Sequence, residues 1–270
     1  MLDALADWPV DSVSAALLDG ATVVAEYGDT DRVYDLASVT KLLVAEAVLV
    51  AVQEEAIGLD DPAGPANSTV AHLLSHASGL AFGSRDVEVP PGTARIYSSA
   101  GFEVLAETVE QATGISFGDY LDEAVCAPLG MRSTVLDGPA GHGARSSVAD
   151  LIAFARDLLA PTVLPMETLE HATQVWFPGL DGFVPGYGKH RPNDWGLGFE
   201  IRSHKSPHWT GRENSPQTFG HFGQSGTYLW VDPALEAACV VLTDRPFGAW
   251  AKPLWSEFND AVVAYLREGR

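Results

Sequence analysis

Two pairs of β-favouring runs stand at opposite ends of the 270-residue sequence, and a long block of different character separates them. The first pair, residues 13–18 and 21–27, flanks an Asp-Gly dipeptide and predicts a β-hairpin. The second pair, residues 227–231 and 237–243, flanks an Asp-Pro dipeptide. Because such strands need a shared sheet to bury their apolar faces, we expect one antiparallel sheet built from both chain ends.

The block between the strands is predicted to be mostly helical. Two of its helices open with Ser-x-x-Asp, a pattern typical of a helix N-terminus, and a glycine at 114 is expected to end a third. A further helix with apolar spacing closes the chain and is expected to flank the sheet. The predicted helices cover residues 38–56, 68–76, 99–113, 116–125, 147–159 and 249–266.

These patterns indicate an α/β fold of the α+β type, an antiparallel sheet with an inserted helical lobe. We expect a single catalytic domain over residues 1–270. Two stretches rich in Gly and Pro, 77–95 and 176–194, are predicted to be loops that wall a cleft. The expected lobes are a sheet lobe at about 1–36 and 195–270 and a helical lobe at about 37–194.

Composition excludes several classes of function. The formal net charge of −20 argues against nucleic acid, because a phosphate backbone is held by clustered Lys and Arg. The N-terminus is acidic where a secretion signal needs basic residues, and the longest apolar run, 42–52, is interrupted by Glu46 and too short for a bilayer. We therefore expect a cytoplasmic protein without membrane partners. Cys126 and Cys239 lack metal-type spacing and are expected to be buried free thiols.

A lysine heads the apolar run in "LASVTKLLVAEAVLVAV", three residues after a serine. On a helix, Ser38 and Lys41 share a face and come within contact distance. A serine hydroxyl becomes a good nucleophile when a base takes its proton, and burial lowers the pKa of a lysine toward the range in which it accepts one. The pattern therefore fits a Ser-Lys catalytic pair. It also fits a plain helix cap beside a lysine that extends to water.

Two later stretches bear on that choice. "ARIYSSAGFEVLAE" places Tyr97 and Ser99 at the start of a helix, where a phenol near an ammonium would be partly stabilised as phenolate. "FGHFGQSGTYLWVDP" is a glycine-rich entry to a strand, where the N–H of Gln224 and that of Ser38 would form an oxyanion hole. Taken separately, each has a structural reading as well: a tyrosine at a helix entrance, and a bulged strand edge.

Taken together, the three stretches resemble the serine β-lactamase and penicillin-binding-protein superfamily, most closely its class C-like serine hydrolases, esterases and D-amidases. Ser38-Val-Thr-Lys41 is similar to the first motif of that family, Ser-x-x-Lys. Tyr97-Ser98-Ser99 is similar to its Tyr-x-Asn, and His221-Phe222-Gly223 to its Lys-Thr-Gly or His-x-Gly. The resemblance covers roughly residues 13–245, and the supporting stretches in order are "HLLSHASGL", "PLGMRST", "ARSSVADLIAFARDLL", "WGLGF" and "GTYLWVDP".

The resemblance implies an acyl-enzyme mechanism for a small-molecule ester, amide or β-lactam, with no cofactor and no metal. Ser38 would be the nucleophile, Lys41 its proton partner, and Tyr97 the general base and the acid toward the leaving group. The N–H groups of Ser38 and Gln224 would bind the oxyanion. Oligomeric state is left open. The substrate-binding residues implied are Ser99, His221 and Gly223.

Two departures from the family pattern favour an ester or small amide over efficient β-lactam turnover. Ser99 replaces the usual asparagine and loses an amide, and His221 replaces a permanently charged lysine. The alternative is a catalytically weak binding or sensor domain on the same fold. The aromatic residues of the loops suggest an apolar acyl or aryl pocket: Phe82, Trp176, Phe177, Phe183, Tyr187, Trp195 and Trp209.

Two other motifs are rejected. Gly114-Ile-Ser-Phe-Gly118 has the spelling of an α/β-hydrolase elbow, but a helix precedes it where a strand is required. Gly114 is instead expected to end one helix and Ser116 to cap the next. His72 and His76 stand four apart, but Leu73 occupies the position that a zinc protease fills with glutamate, so packing and capping roles are expected.

Overall fold

The fold is an antiparallel sheet with helices on both faces, seen in a computed structural model that describes residues 1–269. The chain also contains short 3-10 turns at Leu2–Asp7 and Ala37–Val39 and a π-helical turn at Asp122–Cys126. The strands are β1 Val13–Asp19, β2 Thr22–Tyr27, β3 Val33–Asp35, β4 Val135–Leu136, β5 Ala144–Ser147, β6 Gly182–Val184, β7 Gly188–His190, β8 Glu200–Ile201, β9 Phe219–Gly223, β10 Thr227–Asp232 and β11 Ala237–Thr243. The helices are α1 Thr40–Gln53, α2 Val70–Leu74, α3 Ser99–Thr113, α4 Phe117–Leu121, α5 Ala127–Leu129, α6 Val148–Leu159, α7 Met166–Ala172 and α8 Ala251–Glu268.

The main sheet has six strands in the order β2-β1-β11-β10-β9-β8, and every neighbouring pair is antiparallel. β1 lies beside β11, with Val13 opposite Thr243 and Asp19 opposite Ala237. The first and last strands of the chain are therefore adjacent, which confirms the expected sheet from both chain ends. The predicted hairpin and the second strand pair are both present.

Alternating side chains of the central strands pack on opposite faces of the sheet. In β1, Ala16 and Leu18 join the core that contains α1 and α6, whereas Ala15 and Leu17 join the core against α8. β11 divides in the same way, because successive side chains of a strand point to opposite sides. Both faces of these strands are buried, so their sequence is almost uniformly apolar.

Several predicted helices differ from the observed ones at their ends. The predicted helix 38–56 begins as the 3-10 turn Ala37–Val39 and continues as α1, which ends at Gln53, well before Gly58. The predicted helix 68–76 shortens to α2, where the side chain of Thr69 accepts a hydrogen bond from the His72 N–H. The predicted helix 116–125 is α-helical only over α4, Phe117–Leu121, and continues as the π-helical turn Asp122–Cys126. The predicted loop 176–194 contains the β6–β7 hairpin.

The helix ends around the rejected hydrolase motif are as expected. Gly114 ends α3 in a left-handed conformation, at φ 74°, and the Ser116 side chain accepts a hydrogen bond from the Asp119 N–H. Ser147 caps α6 in the same way through Asp150. Cys126 and Cys239 are buried and free. Within residues 1–269, no helix combines the length and apolar character needed to cross a membrane.

Candidate active site

Ser38 lies in the 3-10 turn that leads into α1, on the helical side of the main sheet. Its side chain is partly exposed, whereas Lys41, one turn later, is completely buried. The residue before the serine, Ala37, adopts φ 45°, a conformation that costs a non-glycine residue on the order of 1 kcal/mol. The surrounding contacts therefore hold this turn in a strained shape that presents the serine hydroxyl to solvent.

Lys41 is held by three oxygen atoms. Its Nζ lies 2.6 Å from the Gly141 carbonyl oxygen, 3.1 Å from Ser99 Oγ and 3.3 Å from Ser38 Oγ. Burial lowers the pKa of Lys41 to about 7, partly opposed by Glu103, so a large fraction of the amine is neutral at physiological pH. A neutral amine has two N–H donors and one lone pair. When the donors serve Gly141 and Ser99, the lone pair faces the Ser38 hydroxyl.

Tyr97 approaches Ser38 from the other side. Its hydroxyl lies 2.7 Å from Ser38 Oγ and 3.2 Å from His221 Nε2, and Lys41 Nζ lies 4.7 Å from the ring centroid. Burial raises the pKa of Tyr97 well above its usual value. The sequence-based expectation of a phenolate stabilised by an ammonium is therefore wrong for the resting protein, because the same burial that discharges Lys41 also keeps the phenol protonated.

The proton on His221 can be assigned from its contacts. Nδ1 lies 2.6 Å from the Phe222 carbonyl oxygen, which only accepts hydrogen bonds, so Nδ1 carries the hydrogen. Burial, with the charge of Lys41, lowers the pKa of His221 to about 3, so the ring is neutral and Nε2 is an acceptor. The Tyr97 hydroxyl therefore has two alternative acceptors, Ser38 Oγ and His221 Nε2, for its single proton.

Two side-chain hydrogen bonds connect the turn after β9 to the segment that precedes the serine. The Thr227 hydroxyl donates to the Leu36 carbonyl oxygen at 2.9 Å, and the Ser225 hydroxyl donates to that of Asp35 at 2.6 Å. A Cβ on Gly223 would lie 2.2 Å from the Leu36 oxygen, so only glycine fits there. This close approach puts exposed Gln224 on the turn that packs against the serine segment.

Hydrogen-bond contacts thus join Ser99 and His221 to the group formed by Ser38, Lys41 and Tyr97. Two residues that support this group were not predicted from the sequence. Gly141 provides the carbonyl nearest to Lys41, and a Cβ there would lie 2.8 Å from Ser99. Arg95 is buried and donates to backbone carbonyls of four residues in three separate segments. Those acceptors are Ser75, Trp176, Phe177 and Asn193.

The loop aromatics divide into two groups. Trp195, Trp209 and Tyr187 are buried. The apolar acyl or aryl pocket expected from the loop aromatics stays a prediction. Phe82 is 60% exposed and its ring stacks on that of Tyr97, with centroids 5.8 Å apart. Two rings of this loop group therefore contact Tyr97: the exposed ring of Phe82 and the buried ring of Trp195, whose centroid lies 5.9 Å from that of the tyrosine.

The two histidines four residues apart have separate hydrogen-bonding partners. His72 Nδ1 lies 2.9 Å from Thr69 Oγ1, and His76 Nδ1 accepts a hydrogen bond from the Ser98 N–H at 3.1 Å. His76 is fully buried, and its ring contacts that of Tyr97 with centroids 4.6 Å apart. Within the described part of the chain, no group of three or more His, Cys, Asp or Glu side chains is arranged to hold a metal ion.

Comparison with known proteins agrees with this architecture. A β-lactamase from Mycobacterium bovis superposes with a TM-score of 0.97 at 58% identity, over 98% of each chain. A simvastatin synthase variant from Aspergillus terreus, at 17% identity over 98% of this chain and 93% of that one, shares the fold with a TM-score of 0.79. A putative D-alanyl-D-alanine carboxypeptidase of Salmonella enteritidis is 25% identical over 72% of this chain.

The fold is therefore that of the serine β-lactamase and penicillin-binding-protein superfamily. The model of the beta-lactamase family matches residues 9–263, and the chain belongs to that family. The chain spans little more than half of the length of the curated carboxypeptidase relatives, 56% of the one named above.

Proposed function

We propose that this protein is a serine hydrolase that forms an acyl-enzyme on Ser38 and cleaves an ester or a small amide. The observation that carries the proposal is the set of contacts around Lys41. Its two possible N–H donors have acceptors in Gly141 and Ser99, and the remaining direction leads to the Ser38 hydroxyl at 3.3 Å. A buried amine with a pKa of about 7 is a suitable base for a serine at neutral pH.

The proton balance of the reaction follows from the same contacts. In acylation, Ser38 Oγ attacks the carbonyl carbon, its proton moves to Lys41, and the N–H groups of Ser38 and Gln224 bind the oxyanion. Tyr97 donates its proton to the departing oxygen or nitrogen and is left as a phenolate beside the Lys41 ammonium. In deacylation, water attacks the acyl-enzyme, its proton goes to Tyr97, and Lys41 returns a proton to Ser38 Oγ. One water molecule is consumed and every group regains its starting state.

Charge favours a substrate without a carboxylate beside the scissile bond. Lys41 is engaged by three oxygens, the neutral His221 carries no charge, and the Arg95 guanidinium donates to backbone carbonyls. None of the three offers a free positive charge to a substrate carboxylate. We therefore favour esters and small amides over β-lactams and over the carboxylate-terminated peptides implied by the name of the Salmonella relatives. The exposed ring of Phe82 suits an apolar acyl or aryl group.

A labelling experiment tests the nucleophile. A fluorophosphonate probe is expected to add its mass to Ser38 of the native protein and to leave Ser38→Ala unlabelled. Ser116→Ala is the matched control, because Ser116 stands in a hydrolase-like motif but caps α4. The label should persist in that variant. Labelling that moves to another serine, or native protein that remains unmodified, would rule out catalysis at Ser38.

A substrate panel then separates hydrolysis from binding. Steady turnover of a short-chain nitrophenyl ester is expected, with slower turnover of D-amino-acid amides and weak turnover of nitrocefin. An adduct that forms but is never hydrolysed would instead support the binding or sensor domain, for which the replacement of asparagine by Ser99 is the motivating feature. Organisation as a single domain of two lobes and a cytoplasmic location remain predictions.

The turn at Gly223 provides a test of the oxyanion site. Gly223→Ala would place a Cβ 2.2 Å from the Leu36 oxygen and force apart the two segments that carry Ser38 and Gln224. We expect kcat to fall about a hundredfold or more, the size of effect seen when an oxyanion donor is lost. Gly248→Ala, whose Cβ would have its nearest neighbour at 3.8 Å, should retain near-normal kcat. Equal kcat in the two variants would contradict this oxyanion site.

A further inference from the structure

One buried titratable group close to the active site takes no part in the proposed reaction. This group is His76, which is completely buried and lies two residues beyond the end of α2. Its backbone adopts φ 56°, a left-handed conformation that is uncommon for residues other than glycine. The His76 N–H donates to the Leu73 carbonyl oxygen at 3.2 Å, so the last turn of α2 holds this residue in place.

His76 forms hydrogen bonds with the residues on both sides of Tyr97. Its carbonyl oxygen accepts from the Ile96 N–H at 3.0 Å, and its Nδ1 accepts from the Ser98 N–H at 3.1 Å. Its ring also contacts the ring of Tyr97, with centroids 4.6 Å apart. His76 therefore fixes the backbone before the tyrosine, the backbone after it and the orientation of the ring between them.

The protonation of His76 follows from the same contacts. A backbone N–H only donates, so Nδ1 carries no hydrogen and Nε2 carries it in the neutral ring. Burial, together with the charge of Lys41, holds the pKa of His76 well below its ordinary value, so the ring is neutral. Nε2 has no hydrogen-bond partner within residues 1–269. A neutral ring of this kind gives Tyr97 a fixed orientation and adds no charge to the site.

The position of the Tyr97 hydroxyl decides whether it can pass on a proton. It lies 2.7 Å from Ser38 Oγ, within the range of about 2.6–3.2 Å in which proton transfer occurs. A shift of about 1 Å would take the hydroxyl out of that range, and displacements of this size can cost about a hundredfold in rate. The backbone next to Tyr97 must therefore be held closely, and His76 holds it on both sides.

We propose that His76 is a positioning residue for Tyr97, holding the phenol where it can donate its proton to the leaving group. This inference rests on the proposed hydrolysis at Ser38 and adds to it a residue that acts through Tyr97. We expect the Nδ1 acceptor to matter more than the ring, because a hydrogen bond fixes both distance and direction. The loss of that acceptor should be felt most by substrates whose leaving group needs a proton.

Three variants separate the acceptor from the rest of the side chain. His76→Asn keeps an acceptor in its Oδ1 and suits the left-handed backbone. His76→Gly suits the same backbone without an acceptor, and His76→Phe fills the space without an acceptor. For each variant, kcat/KM is measured with a nitrophenyl ester, whose leaving group departs without a proton, and with the ethyl ester of the same acid, whose leaving group needs one. Tm and fluorophosphonate labelling of Ser38 establish that each variant is folded.

The two substrates should respond differently. In His76→Gly and His76→Phe, we expect kcat/KM of the ethyl ester to fall about a hundredfold and that of the nitrophenyl ester by less than about fivefold. His76→Asn should stay within about fivefold of wild type for both esters, because the Ser98 N–H keeps an acceptor. His72→Asn is the matched control: His72 bonds to Thr69, and its replacement should change neither rate.

Two results would overturn the positioning role. Equal losses for both esters in a folded variant would show general damage to the site. A loss in His76→Asn as large as that in His76→Gly would show that the acceptor has no part in it. Either result would leave hydrolysis at Ser38 intact, because the wild-type protein would still be labelled and would still turn over the nitrophenyl ester. Wild-type protein that does neither would instead overturn the proposed function, and this role with it.

Discussion

Replacing Lys41 with methionine is expected to reduce kcat/KM for a nitrophenyl ester by at least about a thousandfold while leaving the protein folded. Methionine fills a similar space in a fully buried position, but its thioether sulfur is far too weak a base to take the proton of Ser38. The loss of the amine removes three hydrogen bonds, but it also removes the cost of burying a charge. Tm should therefore change little, and kinetics together with thermal unfolding would separate the two effects.

The same lysine predicts a specific pH dependence. Catalysis requires the neutral amine, so kcat/KM of the wild-type protein should rise with pH through about 7 and level off above it. Lys41→Arg keeps the charge but cannot release its proton in this range, and should be as inactive as Lys41→Met. Lys189→Arg makes the same substitution at an exposed lysine and is the control. It should keep wild-type kcat/KM. A variant at position 41 that retains a tenth of wild-type activity, or a profile flat between pH 6 and 8, would remove Lys41 from the mechanism.

The sequence predicts the strands and the order of the site motifs well because these depend on local patterns. Apolar runs beside tight turns identified both hairpins, and the three-residue spacing placed Ser38 near Lys41. Helix ends were less predictable. The helix predicted to reach residue 56 ends at Gln53, and the chain turns there with Glu55 at φ 59°. That end is set by tertiary packing, which a single sequence does not display.

The supports of the site were missed because they act over long separations in the chain. The Gly141 carbonyl contacts a lysine 100 residues earlier, and Arg95 joins segments up to 98 residues away. A backbone carbonyl has no residue-type signature, so only the close glycines at 138, 141 and 143 hinted at tight packing there. The protonation states of the site residues could not be predicted from the sequence either. Whether Tyr97 is a phenol or a phenolate depends on burial, and burial is known only once the fold is known.

A second unusual group on α1, Glu46, lies in the apolar interior and has no role in the proposed reaction. Both of its carboxylate oxygens lack hydrogen-bond partners within the described residues. Burial, together with the nearby Asp157, raises its pKa to about 8 from an unfolded value near 4.5. The folded protein therefore keeps this proton over a pH range in which the unfolded chain releases it. Such a difference makes the folded state less stable as pH rises from 4.5 to 8.

Glu46→Gln is accordingly expected to stabilise the protein at pH 8 by up to about 4 kcal/mol and to have little effect at pH 5. Glutamine has the shape of the protonated acid but never ionises, so the difference from wild type should grow steadily across that interval. Urea unfolding at several pH values measures it. Glu110→Gln makes the same change on the exposed side of α3 and should alter stability by less than about 0.5 kcal/mol at every pH. If the Glu46→Gln stabilisation were the same at pH 5 and pH 8, the side chain would have to ionise at its ordinary pKa, and the carboxylate would need a partner that the fold leaves out.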